Sequence, residues 1–228
     1  MGKAHFTPGL FKFLNDLAAN NEREWFKANS DRYEAQLRGP ALRFIADFEA
    51  RLHKISPYFV ASAKKSSGSL FRIFRDVRFS KDKSPYKTYT GIQFRHEAGK
   101  DAHAPGFYLH LQPKEVFVGV GTWRPDTLTV TAIRDGIVAD PSGWRRAIGG
   151  KRFNSSYELA GESLKRPPRG FDGDHPLIDD LKRKDFIAVR NLSQKEVCAP
   201  TFARDLEALF RTGAPLMRFL CDSVDVPF

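Results

Sequence analysis

The run from Phe107 to Trp123, FYLHLQPKEVFVGVGTW, constrains the fold more than any other part of the chain. Phe107, Leu109 and Leu111 alternate with Tyr108 and His110, and Gln112-Pro113-Lys114-Glu115 supplies a turn. Val116, Val118 and Val120 then return with the same period of two. Alternation on both sides of a short turn predicts an antiparallel hairpin with one apolar face. Tyr108 and His110 fall on the other face. Gly119 and Gly121 lie one pleat apart on the return strand, where glycine marks a bulge or lets something approach the backbone.

The flanking sequence changes period and predicts the cover for that face. Thr7-Pro8 reads as a helix start, with Leu10, Phe13, Leu14 and Leu17 at helical spacing. Asn21 is expected to cap a second helix lined by Trp25, Phe26, Tyr33 and Leu37, and a third spans about 40–55. Phe71, Ile73, Val77 and Phe79 predict a strand, although Leu70, Phe71, Phe74 and Val77 also fit a helix. Thr88 to Glu97 reads as a further strand, with Ile92 and Phe94 on one face and Tyr89, Gln93 and Arg95 on the other. Beyond Pro125 helices are expected over 126–139 and 140–148, followed by an irregular stretch over 150–176 and a short helix to Lys184. Phe186 to Val189 reads as a last strand. Ser193 and Glu196 have capping-box spacing. A long helix follows over 201–224, with a kink at Gly213–Pro215. The predicted fold is α+β: a single domain over 1–228, with an antiparallel sheet of about four or five strands between N-terminal and C-terminal helices.

Apolar residues make up 41% of the 228 residues and include 20 Phe and three Trp, enough for a substantial core. The net charge of +10 favours polyanions, a statement about association and not about fold. Two cysteines, Cys198 and Cys221, provide no metal spacing and no disulfide framework. The first residues lack a signal-peptide apolar core, and no apolar run reaches the ~18 residues of a membrane span. A cytoplasmic, membrane-free protein is expected.

Much of the charge is concentrated between Ser69 and Phe94. Arg72, Arg75, Arg78, Lys81, Lys83 and Lys87 face only Asp76 and Asp82, a net +4. Phe71, Ile73, Val77 and Phe79 are expected to lock the segment to a core, which makes it a candidate anion site. Arginine grips phosphate or carboxylate with a planar fork and lysine adds a mobile point charge. An internal ion-pair network is the competing reading, with Arg75 meeting a carboxylate and Arg72 and Arg78 sharing Asp76. Candidate ligand-binding residues are Arg72, Arg78, Lys81, Lys83, Tyr86, Lys87, His110 and Trp123. Arg169 and His175 join them from the rigid loop KRPPRGFDGDHP at 165–176. His96, His103 and His110 are evenly spaced, but Pro105-Gly106 breaks any single helix, so neither metal nor cofactor is expected.

Four blocks in order carry a family resemblance: NNEREWFKAN at 20–29, FRIFRDVRFSKDKSPYKTYTGIQFRH at 71–96, APGFYLHLQPKEVFVGVGTWRPD at 104–126 and LKRPPRGFDGDHPLIDDLKRKDF at 164–186. The chain resembles the DUF2461 family over nearly its full length. The resemblance implies one structural unit and assigns no catalytic residue. The leading functional expectation is binding of a phosphate-bearing ligand or nucleic acid on a basic surface, with Tyr86, Tyr89, Tyr108 and Trp123 as stacking faces. The alternative is an enzyme acting on a small anion, with His110 or His175 as acid–base and Arg72, Arg78 or Arg169 as clamp. A module for acidic protein surfaces is the third.

Overall fold

The computed structural model describes residues 4–99 and 105–228. Four helices open the chain: α1 (Pro8–Ala19), α2 (Arg23–Ala28), α3 (Ser30–Tyr33) and α4 (Gly39–His53), the last entered through a π-helical turn over Glu34–Arg38. Strands β1 (Phe59–Val60), β2 (Thr90–His96), β3 (Gly106–Gln112) and β4 (Glu115–Thr122) follow. The second half of the chain carries α5 (Thr127–Ala139), α6 (Pro141–Gly149), α7 (Lys151–Ser156) and β5 (Glu158–Ala160). It ends with α8 (Ile178–Leu181), β6 (Phe186–Asn191), α9 (Gln194–Val197) and α10 (Phe202–Ser223).

The six strands form one antiparallel sheet in the order β1-β2-β3-β4-β6-β5. Its register explains the alternation in the sequence. Ile92 pairs with Leu109 and Leu109 with Val118, while Phe94 pairs with Phe107 and Phe107 with Val120. These side chains share the face packed against α1, α4 and α10, and all are essentially inaccessible to solvent. The helices contribute rings to the same layer. Phe48 of α4 stacks on Phe94 at 5.2 Å, and Phe210 of α10 sits 4.7 Å from Phe107. Each such ring stabilises the fold by roughly 1.5–3 kcal/mol through burial alone. Gly213 lets α10 come down on the sheet, because a Cβ there would lie 2.9 Å from both methyls of Val120. The helix runs on through Pro215 without interruption.

The α+β class, the single domain, the hairpin and the capping box at Ser193 and Glu196 match expectation. Three local readings do not. Residues 71–79 form no strand; they belong to an irregular arm, 70–89, that folds back on itself. Its two legs meet through Arg75 N–H to Pro85 O (2.9 Å) and Lys87 N–H to Ile73 O (2.8 Å). The apolar alternation fails there because its members do not share one buried face: Ile73 is buried, while Phe79 is 96% exposed. Asn21 caps no helix, because its side-chain amide bonds both the N–H and the C=O of Tyr86 at 3.0 Å and ties the arm to the N-terminal helices. The irregular stretch over 150–176 contains α7 and β5, and with β1 this brings the sheet to six strands. Among the described residues, no helix is long and apolar enough to cross a membrane.

Candidate functional site

The face of the sheet opposite the helices carries a different set of side chains. In register across it lie Gly91 with His110, Gln93 with Tyr108, and Tyr108 with Gly119, which continues to Val189 of β6. Gly106 pairs with Gly121, and Gly121 with Ile187. Glycines on three neighbouring strands lower the middle of this face while aromatic residues stand around it. The result is a pocket of about 470 Å³. Its walls include Phe71 and Tyr89 from the arm, Tyr108, His110 and Phe117 from the hairpin, and Trp123 just beyond β4.

Gly91 gives Tyr108 its position, because a Cβ at 91 would fall 2.5 Å from the phenol oxygen. That hydroxyl lies 3.0 Å from His110 Nδ1, and His110 Nε2 lies 3.2 Å from Gln112 Oε1. The pattern fits a neutral imidazole that donates from Nε2 and accepts the tyrosine proton at Nδ1. Two rings clamp the imidazole, Phe117 at 4.7 Å and 10° and Tyr89 at 4.7 Å and 28°. His110 is only 8% exposed. Burial pushes its pKa below the ordinary imidazole value, against smaller opposing contributions from Gln112 and Glu115. Burial also pushes the Tyr108 phenol well above its usual range.

The lowered His110 pKa has a consequence for stability. In the unfolded chain this imidazole titrates near 6.5. Between that pH and its lower folded value the unfolded state binds more protons, so stability falls as pH drops through the window. In a His110→Gln variant the acid limb of unfolding free energy against pH should flatten below about 6.5, the ordinary imidazole value. An acid limb identical to wild type would assign the acid sensitivity to other groups.

The basic arm is largely stapled to itself. Arg75 pairs with Asp82 and also reaches Ser84 O (3.3 Å) and Ser80 Oγ (3.4 Å). Asp82 accepts from Ser84 N–H and Oγ–H, and these bonds, then Arg75, hold its carboxyl far below the usual range. Arg78 grips Asp76 at 2.7 Å on the exposed surface and lowers that carboxyl to about 2. Lys83 donates to Val77 O. Arg72 makes no ion pair among the described residues; its backbone carbonyl accepts from Lys87 Nζ at 2.9 Å. Lys87 stands 5.5 Å from the Phe71 ring centre and 6.0 Å from that of Tyr89, two walls of the pocket. Burial, and then Arg72, lowers its pKa.

Of the candidates named from sequence, His110 and Trp123 line the pocket; Lys87 stands over two of its wall rings but lines a neighbouring cavity with Asn21, Asp76 and Asp82, and Arg72 does not line the pocket. Arg78, Lys81 and Lys83 belong to the far part of the arm and do not line the pocket. Tyr86 turns the other way, stacked on Phe26 at 4.2 Å. Arg169 is exposed on its loop, and His175 Nδ1 accepts from Leu177 N–H; neither lines the pocket. His96 is held by Pro227 O at 2.8 Å, and His103 lies outside the described residues. Sequence reasoning named Tyr89 and Tyr108 as stacking faces but missed Phe71 and Phe117 as walls. It flagged Gly119 and Gly121 as places where something could approach the backbone but missed Gly91 and Gly106, which fall at open-face positions of their strands.

No curated protein and no solved structure matches the chain. The family model described as conserved hypothetical protein (DUF2461) matches residues 9–219, nearly all of it. The chain belongs to the DUF2461 family.

Proposed function

We propose that the protein binds a small phosphate-bearing ligand with a flat aromatic part, of the nucleotide class, in the pocket on the open face of the sheet. The observation that carries this reading is the pocket's construction: glycines below, aromatic rings around, and the Lys87 ammonium over two of those rings. A planar ring gains about 1–3 kcal/mol by stacking in such a site. The Lys87 cation over those two rings offers an anionic tail its partner. The pocket is compact, which favours a single nucleotide over a strand laid along a groove. Acid–base catalysis by His110 has less support, because both imidazole nitrogens are already engaged.

Thermal unfolding with the four ribonucleoside monophosphates tests the proposal, alongside an oligothymidine and the Gly119→Leu variant. A Cβ at Gly119 meets nothing nearer than 3.8 Å, so the strand has room for the start of a side chain that leucine extends into the pocket. At least one monophosphate should stabilise the wild type. At a hundredfold excess over Kd this amounts to about 2.7 kcal/mol, or roughly 5–10 °C in Tm. Gly119→Leu should abolish that shift. No shift with any monophosphate, or the same shift in Gly119→Leu, would overturn the reading. So would an oligothymidine that binds more tightly than the monomers with a steep salt dependence.

A further inference from the structure

A second cavity lies on the other side of the corner that follows β4. It has a volume of about 350 Å³ and is lined by Arg124, Arg134, Glu162, Lys184 and Asp185 among others. Arg134 projects from α5 and is only 8% exposed. Its Nη2 donates to Arg183 O at 2.9 Å, but its buried Nε has no partner and no carboxylate lies at ion-pair distance among the described residues. A buried, unpaired guanidinium is costly, because desolvation is offset only by a counter-charge or a full set of acceptors.

The two acids of the cavity are already engaged, and neither pairs with Arg134. Asp185 accepts backbone N–H groups from Arg124 (2.7 Å) and Glu162 (2.8 Å), and Glu162 pairs with Lys184 at 3.0 Å. Three cations against two anions leave the lining at net +1. We propose that this cavity is an anion site, distinct from the sheet-face pocket, that takes a phosphate group. The Arg134 guanidinium is its base, and Arg124 and Lys184 are its rim. Burial lowers the Arg134 pKa, consistent with a cation lacking its counter-ion. None of these groups stands out in the sequence, because Arg134 lies in the middle of an ordinary helical stripe.

Inorganic phosphate, titrated at constant ionic strength against chloride, is the probe. Wild type should show a saturable rise in Tm and a calorimetric binding isotherm. Arg134→Met keeps the buried stem and removes the charge-assisted hydrogen bonds, so affinity should fall roughly tenfold or more. Should Arg134→Met not fold, Arg124→Gln and Lys184→Ala decide, since both side chains reach the surface. Each should weaken phosphate several-fold. Gly119→Leu should bind phosphate as wild type does, which separates this site from the sheet-face pocket. No saturable binding to wild type, or equal affinity in all the cavity variants, would overturn the assignment.

Discussion

Replacing Gly121 by alanine is expected to destabilise the protein by about 3 kcal/mol or more. The same replacement at Gly119, two residues earlier on β4, is expected to change stability by less than about 1 kcal/mol. Gly121 has φ +125°, a conformation that L side chains rarely adopt, and a Cβ there would stand 2.1 Å from Phe186 O in the neighbouring strand. Backbone strain of this kind costs about 1–3 kcal/mol. The clash is with main chain, so a rotamer change cannot relieve it, and β6 must move away from β4. Gly119 faces the pocket with room for a methyl, and alanine there restricts the unfolded chain. Urea unfolding of the two variants, with equal m-values, gives the comparison directly. A Gly121→Ala protein as stable as Gly119→Ala would mean that the strand pair tolerates a register or twist not described above.

The contrast also separates what the sequence made legible from what it did not. Residues 107–123 announced their hairpin because one face is uniformly apolar and the period of two survives the turn intact. The face carrying Tyr108 and His110 followed from the same count. What the alternation could not reveal is which residues of distant strands stand next to one another. Gly91 lies opposite His110, and Gly121 opposite Ile187, only through pairing across loops. The pocket floor is therefore a property of register and is invisible strand by strand. The arm left two readings open for a related reason. Its charges read either as one basic site or as an internal ion-pair network, and Asp76 and Asp82 fold back onto Arg78 and Arg75. Short-range ion pairs of this kind depend on the path of an irregular loop, which no periodicity encodes. Strands of two and three residues, β1 and β5, carry too few positions to show a period at all.

Asp185→Ala is expected to cost about 3 kcal/mol, a loss out of proportion to one small side chain. Asp185 is 3% exposed and directly precedes β6. Its two carboxylate oxygens hold two separate backbone segments: Arg124 N–H, just after β4, and Glu162 N–H, just after β5. Alanine leaves both donors without their partner, and an unmet buried donor costs about 1–3 kcal/mol. Asparagine retains one acceptor oxygen and turns an amide N–H₂ toward the second donor, so it should recover only part of the loss. The deficit should also be local. Amide hydrogen exchange at Arg124 and Glu162 should accelerate more than at Leu109 in the centre of the sheet, because the corner opens before the core does. Should Asp185→Ala lose less than about 1 kcal/mol, with uniform exchange, water would be replacing the carboxylate at both amides. The corner between the two cavities would then be held by packing and not by this side chain.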